Sequence, residues 1–188
     1  MKNCCYYIFL MFLGVCTVHI AHAQENTPVS ERFENTLDAF GLYYYEPTEA
    51  WLHPVPQQLK DYGPFDMILH SSDEKIEIRY RFKKIKSKQD LANHPQLDMF
   101  QYVASLSSNE QRPNITLTEI ESAIIDTVFN ADWGLYADFQ PKESLASFPF
   151  CRLIGLYKEG QAMIYSMVFY EDEIPEYFDL PISFREEE

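Results

Sequence analysis

The chain has 188 residues, of which 46% are hydrophobic, and a formal net charge of −14 at pH 7. Its length and apolar content suit one domain with its own hydrophobic core. So negative a charge argues against nucleic acid as a partner, because proteins that bind phosphate backbones carry an excess of lysine and arginine.

The first 23 residues have the three parts of a secretory signal. Lys2 precedes an apolar run at 6–18, and the segment AHA at 21–23 offers the small residues that a signal peptidase requires. We expect cleavage before Gln24 and a secreted or periplasmic protein. The alternative is an uncleaved anchor, although the apolar run is shorter than the roughly 20 residues of a membrane-spanning helix.

The positions of the cysteines indicate that the domain is stabilised by its hydrophobic core and not by a disulfide. Three of the four lie in the signal segment, so a cleaved protein keeps Cys151 alone and cannot form an internal disulfide. Cys151 lies in an apolar run, which predicts a small buried residue and not a nucleophile.

Residues 24–31 are polar and are predicted to be flexible, and a single domain is expected from 32 to 188. Pro28 is typical of a helix start and Gly41 of a helix end. Between them, apolar residues at helical spacing predict a short helix with one buried stripe, formed by Phe33, Leu37 and Phe40.

Strands are expected next. Residues 42–47 are aromatic, and 50–56 are rich in proline, which suits an edge position. Residues 65–70 and 75–83 flank a turn and predict an antiparallel hairpin. In the second of these, Ile76, Ile78, Tyr80 and Phe82 alternate with Glu77, Arg79, Arg81 and Lys83, so the two sets face opposite ways.

Positive charge is concentrated in residues 75–88, which hold seven of the 15 lysines and arginines. One interpretation is a docking surface for an anionic partner or an envelope protein, formed by Arg79, Arg81, Lys83, Lys84 and Lys86. The other is the solvent-facing side of an amphipathic strand, whose lysines oppose edge-to-edge aggregation. The sequence favours the second.

Helices are predicted over 87–108 and 116–129. The apolar face of the first comprises Leu97, Phe100, Val103, Ala104 and Leu106. In the second, Thr118 and Glu121 have the spacing of a capping box. That segment is rich in β-branched residues and has a strand as its alternative, but its apolar period favours a helix.

The C-terminal part of the chain predicts a strand at 134–141 and a hairpin formed by 148–157 and 161–170. Both hairpin runs are apolar at odd and even positions, as in strands covered on both faces. The acidic tail at 171–188 has no clear element.

These elements predict an α+β domain, a mostly antiparallel sheet flanked by helices. The segments "FGLYYYEPTEAW" (40–51) and "DWGLYADF" (132–139), with "LIGLYKEGQAMIYSMVF" (153–169), occur in an order that resembles the PsbP-like fold. This fold is shared by many secreted bacterial proteins. The resemblance implies a non-catalytic protein and transfers no functional residue.

Signatures of catalysis and of metal binding are missing from the sequence. It contains no G-x-S-x-G, no H-E-x-x-H and no calcium-loop spacing in its acidic tail. His70, beside the hydroxyls and carboxylates of 71–74, is the one candidate for acid–base chemistry. Asn114 begins a glycosylation sequon that matters only in a eukaryotic host.

We therefore expect a non-enzymatic binding or accessory protein with no cofactor and no metal. The alternatives are a small secreted hydrolase and an interaction subunit of an envelope assembly.

Overall fold

The computed structural model describes residues 28–45, 52–54, 65–71, 75–85, 94–108, 114–172 and 181–186. The predicted signal at 1–23 and the turn residues 72–74 lie outside them. Among the described residues no helix is both long and apolar enough to cross a membrane.

The described residues form three helices and nine strands. The helices are α1 (Pro28–Phe40), α2 (Pro95–Leu106) and α3 (Ser122–Thr127). The strands are β1 (Leu42–Tyr44), β2 (Leu52–Pro54), β3 (Met67–Ser71), β4 (Ile76–Lys84), β5 (Thr116–Glu119), β6 (Trp133–Phe139), β7 (Phe150–Lys158), β8 (Ala162–Tyr170) and β9 (Ile182–Phe184). Because α1 begins at Pro28, residues 28–31 are helical, although the sequence predicted them to be flexible.

Within the described residues, seven strands form one antiparallel sheet in the order β2-β3-β4-β8-β7-β6-β5, while β1 and β9 pair separately. β8 lies at the centre and pairs along its length with β4 and with β7. This topology confirms the predicted α+β class with a mostly antiparallel sheet. It also confirms both hairpins, β3–β4 and β7–β8, and the edge position of β2.

One side of the large sheet, the α1 face, is covered by α1, α3 and the β1–β9 pair. Its core includes Phe33, Leu37, Leu42, Ile78, Tyr80, Ile125, Ile164 and Phe184. Gly41 ends α1 with φ of 64°, a conformation that glycine adopts without strain. The Gln161 side chain donates to the Phe40 and Gly41 carbonyls, 3.2 and 3.1 Å away, and so ties the end of α1 to the turn between β7 and β8.

The other side, the α2 face, is covered by α2 and by the segment at 140–148. Its core includes Phe65, Met99, Val103, Leu106, Leu145, Cys151, Met167 and Phe169. The helix comes close to the sheet at Gly155, where an added Cβ would lie 2.8 Å from the Met99 sulfur. Helical elements therefore cover both faces of the central hairpin, as its doubly apolar sequence predicts.

The apolar face predicted for α2 is partly wrong. Val103 and Leu106 are buried, as expected, but Leu97 and Phe100 are 45% and 52% exposed. Ala104 is exposed as well, and Met99 takes the place of these residues at the sheet, where its sulfur lies beside Gly155.

The helix predicted over 116–129 is also wrong for its first half. Residues 116–119 form strand β5, which pairs with β6, and the helix extends only from Ser122 to Thr127. The capping box is absent: Glu121 occupies the N-cap without a side-chain hydrogen bond, and Thr118 lies in the strand. Pairing with a strand that follows in sequence outweighs the local helical period.

The acidic tail contributes β9, which the sequence did not predict. Ile182 and Phe184 are fully buried and pair with Tyr44 and Leu42 on β1. The Phe184 N–H also donates to the Phe129 carbonyl at 3.0 Å. The Asn130 side chain holds this strand by donating to the Phe184 and Arg185 carbonyls at 3.3 and 2.9 Å.

Candidate functional site

The basic strand β4 has the predicted alternation but not the predicted surroundings. Ile78, Tyr80 and Phe82 lie on the α1 face together with Lys84, whereas Glu77, Arg79, Arg81 and Lys83 lie on the α2 face. That second face is not open to solvent at its centre, since Arg79 is 4% exposed. The interpretation of this side of β4 as a solvent-facing strand is therefore wrong at Arg79.

Arg79 is enclosed by partners. Its guanidinium group pairs with the Glu77 carboxylate and donates to the Leu145 carbonyl at 2.8 Å. It also lies 5.4 Å from the ring centre of Phe65 and 4.6 Å from that of Phe169. A planar cation between two rings and beside a carboxylate suits a structural role, and its burial keeps it away from any anionic partner.

The other predicted partner residues are more accessible towards the end of β4. Arg81 is half-buried over the Tyr102 ring, and Lys83 binds both oxygens of Asp98, at 2.9 and 3.1 Å. Lys84 is exposed and donates to the Ala39 carbonyl at 3.3 Å. Lys86 lies outside the described residues. The docking of an anionic partner here stays a prediction, with Lys84 its most exposed described member.

Asp98 joins α2 to the sheet. It accepts hydrogen bonds from Lys83 on β4 and from the Tyr165 hydroxyl on β8. Burial and the neighbouring Asp98 carboxylate together hold the pKa of Tyr165 far above its usual range. Tyr165 therefore stays protonated and serves as a permanent donor that fixes the helix in place.

His70 is paired with a carboxylate on the neighbouring strand. Its Nε2 lies 2.5 Å from Glu77 Oε2, and its side chain is 36% exposed. Glu77 thus binds both His70 and Arg79. A histidine held by a carboxylate can act as a general base, so acid–base chemistry at His70 stays a prediction. Sequence reasoning missed Glu77 as its partner. The signal was there, since a hairpin over 65–83 brings these two positions into register.

Cys151 is fully buried, as predicted, in the apolar core of the α2 face. Burial raises the pKa of its thiol well above the ordinary value, so the thiolate form that attacks substrates is suppressed. Within the described residues, no three His, Cys, Asp or Glu side chains are grouped to hold a metal ion.

An aromatic patch lies on the α1 face where the covering layer stops. We define it as Tyr136, Asp138, Phe150, Arg152 and Tyr170. Phe150 is 44% exposed and stacks on Tyr170 with ring centres 5.4 Å apart. Sequence reasoning missed this patch, although each charged residue interrupts an apolar run.

The polar members of the aromatic patch are fixed by each other. Arg152 donates to both oxygens of Asp138, at 2.7 and 2.9 Å, and its guanidinium carbon lies 4.5 Å from the ring centre of Tyr136. The two side chains are 26% and 30% exposed. The patch therefore presents aromatic rings and a preorganised bidentate ion pair to solvent at low cost in side-chain entropy.

A second exposed aromatic pair lies on β1. Tyr43 and Tyr45 are 49% and 57% exposed, with ring centres 6.4 Å apart, while Tyr44 turns inward and meets Phe33 edge-on. Arg185 lies 5.2 Å from the ring centre of Tyr43. These tyrosines alternate as strand geometry requires, so only two of the three are available to a ligand.

Comparison of the chain with models of known protein families, with curated proteins and with solved structures finds no match.

Proposed function

We propose that the chain is a secreted or periplasmic binding or accessory protein without catalytic activity, and that it docks on a partner protein through the aromatic patch. The observation that carries this proposal is the exposed stack of Phe150 on Tyr170 beside the Arg152–Asp138 pair. Tyrosine, phenylalanine and arginine are the side chains enriched at the centres of protein interfaces.

The net charge of the chain indicates which surface charge the partner carries. Arg152 and Asp138 neutralise each other within the patch, whereas the chain as a whole carries −14. Association would therefore be steered towards a basic partner surface and would weaken as salt is added. An interaction subunit of an envelope assembly is one form that this function takes.

A small secreted hydrolase is the second candidate, and the His70–Glu77 pair favours it. Here the carboxylate orients the histidine as in catalytic dyads. The same carboxylate also binds Arg79, which gives it a structural role on its own. A hydrolytic activity that requires His70 would place this candidate first.

Membership of the PsbP-like fold stays part of the proposal. The α+β class and the long C-terminal hairpin agree with it.

Export predicts a defined N-terminus. If a signal peptidase removes residues 1–23, the protein isolated from its native host begins at Gln24. Intact-mass spectrometry checks this, and a mass that still includes Lys2 would contradict export by cleavage.

Docking through the aromatic patch predicts position-specific cross-linking. A photo-reactive phenylalanine analogue at position 150 of the full chain, made in its native host, should form an adduct with a partner protein. Changing Tyr170 to Ser in the same chain should remove that adduct, because the aromatic stack is lost.

The matched control places the analogue at Phe100, which is 52% exposed on α2 and remote from the patch. The same adducts from both positions would mean non-specific capture. No adduct at position 150 would reject the patch as a docking surface.

A further inference from the structure

Strand β5 is the edge of the sheet nearest the aromatic patch. Among the described residues it pairs with β6 and with no second strand. Three of its four residues are exposed, including Leu117, whose side chain is 45% exposed. An open strand edge presents unpaired backbone donors and acceptors in a row.

The register decides which backbone groups are open. The Ile120 N–H donates to the Gly134 carbonyl at 3.4 Å, so the even-numbered residues of this strand bond to β6. In an antiparallel ladder the intervening residues point their N–H and C=O groups the other way. Leu117 and Glu119 therefore direct their backbone groups to the open side.

The two edges of the sheet differ. β2, at the other end, contains Pro54, which has no N–H to offer and discourages the pairing of another strand. β5 contains neither proline nor lysine. Among the described residues, its protection consists of its short length and of Glu119, whose negative charge opposes an acidic strand but not a basic one.

The side chains along this edge specify which residues a second neighbouring strand would carry. Leu117 and Glu119 lie on the α2 face, two residues apart. An incoming strand would complement them with an apolar residue and a lysine or arginine on the same side. On the opposite side it would lie beside Thr116 and Thr118, whose partners Asp138 and Tyr136 belong to the aromatic patch.

A second copy of the chain fits this edge poorly. Two molecules that each carry −14 repel one another, and β5 contains no positive side chain to offset its own glutamate. A cationic strand from another protein meets no such opposition.

We infer that β5 is a strand-addition site, which takes an extended segment of the partner with an apolar and a basic residue two positions apart on the same side. This inference rests on the proposed function and names the kind of segment that docks beside the aromatic patch. The main-chain bonds supply affinity and the side chains on the two faces supply specificity.

The test uses the full chain and a synthetic probe peptide of repeated Lys-Thr-Val-Thr units, in which lysine and valine lie two residues apart on the same side. The comparison peptide has glutamate in place of each lysine. Fluorescence anisotropy should show saturable binding of the lysine peptide alone. NMR-detected hydrogen exchange should show slower exchange at the amides of Leu117 and Glu119 on binding. The amides of Thr116 and Thr118, already bonded to β6, should change little.

Two variants address the edge itself. Leu117→Pro removes an outward N–H, and Glu119→Lys opposes a cationic strand; each should weaken peptide binding by at least about tenfold. Glu119→Lys changes no backbone bond, so it stays informative if the proline variant fails to fold. Its matched control, Glu143→Lys, makes the same charge change at an exposed position outside β5 and should bind almost as the parent does.

Peptide binding without slower exchange at Leu117 and Glu119 would overturn the inference, as would equal losses in Glu119→Lys and Glu143→Lys. Self-association that Leu117→Pro abolishes would assign the edge to a second copy instead. The cross-link at position 150 separates the two proposals. If it persists in Leu117→Pro while the peptide fails to protect β5, the patch stands and the strand-addition site falls.

Discussion

Replacing Arg79 with methionine should destabilise the fold by about 3–5 kcal/mol, the usual cost of removing one partner from a buried ion pair. The variant leaves the Glu77 carboxylate, whose side chain is 10% exposed, without its guanidinium partner. It also leaves the buried Leu145 carbonyl without its donor. Urea denaturation of the parent and the variant measures the difference as a shift in midpoint.

Two controls isolate the buried charge. Lys84→Met makes a similar change at an exposed position of the same strand and should stay within about 0.5 kcal/mol of the parent. Glu77→Leu combined with Arg79→Met removes both charges and should be less damaging than Arg79→Met alone. A loss below about 1 kcal/mol in Arg79→Met would mean that this side of β4 is wetter than its burial implies.

In β4 the alternation of side chains was predicted correctly, but the burial of the charged face was not. Alternation along a strand assigns Glu77 and Arg79 to the same face because successive side chains point to opposite sides. It does not say what covers that face. The covering groups, Leu145 and Phe169 among them, lie far along the chain, so a charged row resembles a solvent-facing strand until the long-range contacts are known.

At residues 116–129 the local pattern itself led to a wrong secondary-structure prediction. The period of Ile120, Ile124 and Val128 is helical, but Ile124 and Val128 are 40% and 53% exposed and Ile120 follows a strand. The register of β5 against β6 depends on a strand that comes later in the sequence. A local period cannot include that pairing, and an edge strand of four residues has too little alternation to identify itself.

The sequence contains even less information about the aromatic patch. Asp138 and Arg152 each interrupt an apolar run, but their pairing follows from the register of β6 against β7. By contrast, the central hairpin was predicted from sequence. Its strands are apolar at odd and even positions alike, and such strands occur where both faces of a sheet are covered.

That hairpin supports the second large prediction. Ile164→Ala should cost about 2–5 kcal/mol, because it removes transfer energy and leaves a cavity that the surrounding strands cannot close. Ile164 is fully buried and lies between Phe82 on β4 and Leu156 on β7. A loss of this size is a large share of the free energy of unfolding of a typical domain, which is roughly 5–15 kcal/mol.

The matched control is Ile124→Ala, the same change at a position that is 40% exposed on α3. It should alter stability by no more than about 0.5 kcal/mol, since little apolar area returns to water and alanine is the better helix former. Cys151→Ala, although fully buried, should cost less than Ile164→Ala because it removes less volume. Equal losses in the two isoleucine variants, measured by urea denaturation, would show that burial at the central strand does not set the stability of this domain.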